Sequence, residues 1–182
     1  THILLRAGKP DRTKFMQLLA DQVKECGFEF TLEEADFGSV LIPGLEWPLI
    51  MTGQDQQWQA YFGGWGTSYD PDPYAIFHSS QCVTEDLPQA YNYICFQNER
   101  ADELIEAGLK TSDVAERTAL YAEWQEILSE ELPYLFGWAY IQKEGLADDI
   151  QGTEEWTTEV MSTPTWFWNL EKINKGGATV AQ

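Results

Sequence analysis

The order of the apolar segments predicts an α/β fold, and three observations carry that reading. Strand-like and helix-like periods alternate along the chain in the order β-α-β-(α)-β-α-α-α-β. The first three of these elements occupy about 30 residues, the length of a βαβ unit whose strands pair in parallel across a right-handed crossover. The 182 residues include 43% apolar and 14% aromatic side chains, spread without a Ser/Gly/Pro linker, which is the composition of a globular domain with its own core.

His2–Leu5 is a short apolar run that meets Gly8 and Pro10. Phe15, Leu18, Leu19, Val23 and Cys26 then recur at helical spacing until Gly27 stops them. Phe28, Phe30 and Leu32 alternate with polar residues and predict a half-buried strand. Between Phe37 and Gln57 the period is broken by Pro43, Gly44, Pro48 and Gly53, so a short helix followed by irregular chain is expected. Gln59–Trp65 reads as a third strand. Its Gly63–Gly64 end has no side chains to hold another backbone or a ligand away. A polar, proline-rich turn follows, with Asp72 placed to cap a helix at Tyr74–His78. Glu99–Leu109 carries Ala101, Leu104, Ile105 and Gly108 on one side. The next helix opens with Asp113 and Glu116 at capping-box spacing, presents Leu120, Tyr121, Trp124, Ile127 and Leu128 as its stripe, and stops at Pro133. Tyr134–Ile141 is continuously apolar and is expected as a buried strand. One domain over residues 1–173 is expected, with a mobile tail from Asn174 to Gln182.

Charge excludes one large class of function. With 11 Lys and Arg against 30 Asp and Glu, net −19, the chain cannot displace counterions from a phosphate backbone, so no nucleic-acid partner is expected. The acidic surplus reads as a solvated surface. No apolar run approaches the length of a membrane span, and Thr1 opens without a signal-like segment, as a mature or truncated chain also would. Three cysteines without CxxC spacing make neither a zinc knuckle nor a dithiol motif. Cys26 is expected as a small buried hydrophobe. Cys82 and Cys95 either pair across the Thr84–Asn92 loop in an oxidising compartment or remain two thiols.

Catalytic chemistry finds little support. His2 and His78 are the chain's two histidines, and neither accompanies a nucleophile elbow or a catalytic cysteine context. Asp70 and Asp72 are each followed by proline, so they read first as turn formers and caps, with a peptide or glycan hydrolase built on that turn as the rival reading. No phosphate loop, dinucleotide fingerprint or zincin motif occurs, so no catalytic residue, cofactor or metal site is expected. What remains is a strand ending in Gly-Gly-Trp-Gly with a polar turn at its carboxyl end, where open α/β sheets place ligands. The alternative is that Trp65 plugs the core and the glycines relieve a crowded turn.

Residues Gly63–Ser80, GGWGTSYDPDPYAIFHSS, resemble the "GW…YDPDP…FHSS" signature of family 5 extracellular solute-binding proteins, the oligopeptide, dipeptide and nickel receptors of ABC importers. Further matches follow in order: Tyr91-Asn92-Tyr93, Asn98 with Asp102-Glu103-Leu104-Ile105, Arg117 with Tyr121, Gln125 and Leu128, Glu131-Leu132-Pro133-Tyr134, Ile150-Gln151-Gly152 and Trp168-Asn169-Leu170. The resemblance implies a lobe of the type II periplasmic-binding-protein fold, with an open mixed sheet flanked by helices, corresponding to the C-terminal portion of longer family members. It implies an extracytoplasmic location, periplasmic or as a cell-surface lipoprotein. The expected partners are a peptide or other small solute, the transmembrane permease subunits and an N-terminal lobe closing about a hinge. Carried over residue by residue, the ligand-binding positions are Trp65, Gly66, Thr67, Ser68 and Tyr69, with Phe136 and Trp138 as flat walls of the cleft or, alternatively, as core. Peptide receptors commonly carry an Asp three residues after the tryptophan to hold the ligand's ammonium. Ser68 stands there instead, and a hydroxyl has no charge to pair with an ammonium. An oligopeptide is therefore implied ahead of a dipeptide, with nickel chelates or oligosaccharides as alternatives on the same fold.

Overall fold

The first strand, β1 (His2–Arg6), is covered on both faces, and its burial is continuous: Ile3, Leu4 and Leu5 are all in the core. A computed structural model describes residues 1–53, 58–66, 70–139, 150–151 and 174–175. The chain divides into two compact units, one made of Thr1–Gly64 with Asp72–Tyr134 and the other of Trp65–Pro71 with Leu135–Gln182.

In the first unit, β1 leads into α1 (Pro10–Lys24), which has proline in its first turn, as the fixed φ of that residue favours. Strand β2 (Thr31–Ala35) returns parallel to β1, pairing His2 with Thr31 and Arg6 with Ala35. The expected strand residues Phe28–Leu32 are thus displaced toward the carboxyl end. Gly27 takes a left-handed φ of 84° and the Phe28 N–H donates to the Val23 carbonyl, so Phe28 still belongs to the turn closing α1 and is exposed. Cys26 lies in the same turn and is an exposed thiol, not the buried hydrophobe expected of a helix face.

A π-helical turn (Phe37–Leu41), α2 (Ile42–Leu45) and α3 (Leu49–Thr52) fill the stretch where the sequence period is lost. The third strand, β3 (Ala60–Phe62), pairs in parallel with the other edge of β1, giving the order β2-β1-β3. Its pleat divides the core. Ile3, Leu5 and Met16 pack with Leu19, Phe30, Leu32, Ala60 and Phe62. Leu4, Ala35 and Leu41 pack with Phe37, Trp58 and Tyr61.

Helix α4 (Tyr74–Phe77) begins where Asp72 accepts the Tyr74 N–H at 2.8 Å, the capping role read from the sequence. Helices α5 (Glu99–Lys110) and α6 (Val114–Glu131) pack against each other over a third cluster of Phe77, Phe96, Ala101, Ile105 and Leu128. Asn98 caps α5 by accepting the Ala101 N–H, and Asp113 caps α6 by accepting the Glu116 N–H at 2.8 Å. The capping box is half made, because the Glu116 carboxylate takes the Thr111 hydroxyl. Between α4 and α5, Cys82 and Cys95 form a disulfide. The loop it closes is organised by fully buried Asn92, which donates to the His78 and Phe96 carbonyls and accepts the Phe96 N–H.

In the second unit, β4 (Ile150–Gln151) and β5 (Asn174–Lys175) form an antiparallel pair. Asn174 and Lys175, which open the expected tail, are therefore strand residues, and residues 176–182 lie outside the described ones. The mixed sheet expected from the sequence resolves among the described residues into one all-parallel sheet and this separate pair. The strand expected at Tyr134–Ile141 is corrected: residues 135–139 join neither sheet, and Leu135 is 90% exposed. A continuous apolar run supplies side chains for burial, but a strand also needs a partner backbone, and no described strand pairs with this one. Tyr140 and Ile141 lie outside the described residues.

Candidate ligand-binding site

Strand order decides where a ligand would sit. From β1 the chain crosses to β2 on one side, and from β2 it continues to β3 on the other. The connections diverge at the carboxyl ends of β1 and β3, the position at which open parallel sheets leave a crevice. The carboxyl end of β3 runs directly into Gly63, Gly64, Trp65 and Gly66.

Three of these glycines have distinct surroundings. A Cβ on Gly63 would lie only 2.6 Å from Tyr61 Cζ, and one on Gly64 would lie 2.9 Å from a guanidinium nitrogen of Arg12. The room that the sequence reserved for a ligand over these two residues is thus taken by two side chains of the protein itself. Gly66 has nothing within 4 Å of the corresponding position. Trp65 is 41% exposed, so it does not plug the core. Phe136 and Trp138 are 59% and 42% exposed, which likewise takes them out of the hydrophobic clusters described above. Trp65, Phe136 and Trp138 all fall in the second unit. Thr67, Ser68 and Tyr69 lie outside the described residues.

The residues of the rival hydrolase reading have local employment. Asp72 caps α4, and Asp70 is exposed on the turn before it. His78 is buried, stacked on Tyr74 at 4.2 Å between ring centres, with Nδ1 2.8 Å from the Ser80 hydroxyl. No group of three His, Cys, Asp or Glu placed to hold a metal occurs among the described residues. An open depression at the start of α5 is lined by Ser79, Ser80, Asn98, Glu99 and Asp102, but Ser79 already donates its N–H and its hydroxyl to the Asp102 carboxylate.

Two residues that sequence reasoning passed over lie by the carboxyl ends of β1 and β3. Arg6, the last residue of β1, lies 4.2 Å over the Phe37 ring, and Arg12 in the first turn of α1 reaches Gly64. A signal for them existed: Arg6, Lys9, Arg12 and Lys14 place four of the chain's 11 cationic residues within nine positions, beside a single acid, Asp11. Burial raises the pKa of Tyr61, and the attraction of Arg12 and Arg6 for the phenolate opposes that rise. Asp36, at the end of β2, is held below the usual carboxylate range chiefly by the Ser39 hydroxyl and N–H, with Arg6 contributing.

Comparison with known proteins finds similar sequences and folds. Over 145 residues, 80% of the chain, the sequence is 25% identical to the oligopeptide-binding protein AppA of Bacillus subtilis. The structure of AppA in complex with a nonapeptide superposes on 73% of the chain with a TM-score of 0.61 and 26% identity. In sequence and fold the chain resembles the family 5 extracellular solute-binding proteins. It spans 24% of the length of AppA. Two further solved structures share the fold: NikZ of Campylobacter jejuni, solved with Ni(L-His), over 96% of the chain at TM-score 0.62 and 20% identity, and the oligopeptide binding protein of Thermus thermophilus, solved with a pentapeptide, over 72% at 0.59 and 20%. No family model matches the chain. The relatives are binding proteins, and among the described residues no helix is long and apolar enough to cross a membrane.

Proposed function

We propose that this chain is ligand-binding structure from an extracytoplasmic receptor that delivers oligopeptides to an ABC permease, working without catalysis and together with a second lobe. The observation that carries the reading is the half-exposed Trp65, which follows the end of the parallel strand β3 by three residues. Its likeness to a receptor solved with a nonapeptide supports a peptide as the ligand. Trp65, Gly66, Thr67, Ser68 and Tyr69 supply this part of the cleft, with Phe136 and Trp138 as its apolar walls. A strand end that offers backbone groups to an extended peptide accepts many side-chain sequences. Ser68 in place of an aspartate favours a peptide held along its length over one clamped by its amino terminus.

Isothermal titration of the chain with a dipeptide, a nonapeptide, a nickel–histidine complex and a cello-oligosaccharide tests the reading. The nonapeptide is expected to bind in preference to the others, weakly because part of the enclosing surface belongs to the second lobe, and Trp65→Ala is expected to weaken it about tenfold or more. Preference for the nickel complex or the oligosaccharide would replace the ligand class. Peptide turnover abolished by Asp70→Asn would replace the receptor reading with the hydrolase.

A further inference from the structure

Between α4 and α5 the fold brings a serine, a histidine and a glutamate into line. The Ser80 hydroxyl lies 2.8 Å from His78 Nδ1, and Glu106 Oε1 lies 3.5 Å from Nε2 on the far side of the ring. Nδ1 also accepts the Ser80 N–H at 3.1 Å, so it carries a lone pair, and the neutral ring keeps its proton on Nε2, toward the carboxylate. The Ser80 oxygen accepts from Gln81 Nε2 at 3.3 Å and lies 3.0 Å from the Tyr74 hydroxyl, which leaves its own proton for Nδ1. A nucleophile within hydrogen-bond reach of a base, with the base oriented by a third group, is the arrangement that activates a serine.

Exposure divides the three residues in the sense this chemistry needs. His78 is buried and stacked on Tyr74, so the base is fixed in orientation, whereas Ser80 is exposed and lines the open depression at the start of α5. The neighbouring Ser79 gives its N–H and its hydroxyl to Asp102, so Ser80 is the serine aimed at the histidine. Lys110, 3.0 Å from the other Glu106 oxygen, is the chief reason that this carboxyl lies below its ordinary 4.5 and stays ionised beside the ring. The ionisable groups around His78 are thus Tyr74 on α4, Glu106 with Lys110 on α5, and Asp102 on α5 one residue along through Ser79. Glu99 and Asp102 line the depression, which repels a negatively charged reagent and admits a neutral or cationic one.

We propose that Ser80 is a nucleophilic hydroxyl and a site of covalent acylation by small neutral or cationic activated esters, with His78 as its base and Glu106 as a positioning residue. Ser80 Oγ attacks the ester carbonyl carbon, and its proton passes to His78 Nδ1. As the tetrahedral adduct collapses, the bond to the alkoxy or aryloxy leaving group breaks and that group takes the proton from Nδ1. The products are a seryl ester and the free alcohol or phenol, with nothing oxidised or reduced. The site shares no residue with the cleft named above and stands whether or not the chain binds a peptide.

The test is acetylation of the full 182-residue chain by p-nitrophenyl acetate, mapped by peptide mass spectrometry with exposed Ser112 and Ser129 as internal references. Ser80 is expected to react about 100-fold or more faster than either, the lower end of what a positioned base contributes. Its rate should climb between ~pH 5 and 8, where imidazoles lose their proton, and then level off, while that of Ser129 keeps rising with hydroxide. His78→Gln is expected to bring Ser80 down to the rate of Ser129. Glu106→Ala should slow Ser80 severalfold, and Glu106→Gln, which still accepts the Nε2–H, should restore most of the rate. Equal rates at the three serines, a Ser80 profile parallel to that of Ser129, or an advantage that survives in folded His78→Gln overturns the site. Melting curves show whether that variant is folded, and the rates and pH profile of the parent chain decide the matter without it.

Discussion

Replacing Asn92 by alanine would remove the polar centre of the loop that joins α4 to α5. The side chain is fully buried, donates to the carbonyls of His78 and Phe96 at 3.1 and 2.9 Å, and accepts the Phe96 N–H at 2.9 Å. At about 1 kcal/mol net per bond, three bonds set a loss near ~3 kcal/mol, and the penalty for stranding buried backbone groups raises it toward ~5 kcal/mol. That is a large part of the ~5–15 kcal/mol by which domains are usually stable. Urea unfolding followed by circular dichroism at the helical band measures it, because Phe96 packs with the α5 and α6 residues Ala101, Ile105 and Leu128. Exposed Gln97 is the control, and Gln97→Ala is expected to change stability by less than ~0.5 kcal/mol. A loss below ~1 kcal/mol for Asn92→Ala at unchanged urea dependence would refute the claim that this amide holds the loop.

Two further expectations concern the same unit. The Cys82–Cys95 disulfide closes a separation of 13 residues, so the double alanine variant should lose about 3 kcal/mol, read as a lower urea midpoint that reductant no longer changes. The Arg100 guanidinium beside Glu123 lowers that carboxyl from its ordinary 4.5, and the pair's stabilisation is therefore present above pH 4.5 and is lost as pH falls through the lower folded value. The melting temperatures of the parent and Arg100→Gln should accordingly differ at neutral pH and converge in acid; a difference that grows on acidification would contradict the sign.

The helical half of the first unit was legible because its signals are local. In α5, Ala101, Leu104, Ile105 and Gly108 recur at helical spacing, and all four are buried. In α6, the stripe of Leu120, Tyr121, Trp124, Ile127 and Leu128 comprises residues that are at least half-buried, and Asp113 stands where the cap is needed. Residues 135–139 misled the reading because hydrophobicity without periodicity does not distinguish a central strand from chain outside both sheets. The glycines ending β3 were found, but their reason was not: Tyr61 is two residues from Gly63, whereas Arg12 is more than fifty from Gly64, and only folding brings it there.

Composition and local pattern were sufficient to settle the α/β class, the parallel opening unit and the caps, since each depends on periodicity or on neighbours close along the chain. The pairing of Cys82 with Cys95, the exposure of Trp65 and the placing of Arg12 against Gly64 were decided by tertiary structure. Each depends on which distant backbone lies alongside, and in a parallel sheet that is set by crossovers tens of residues long, whose endpoints no local period encodes.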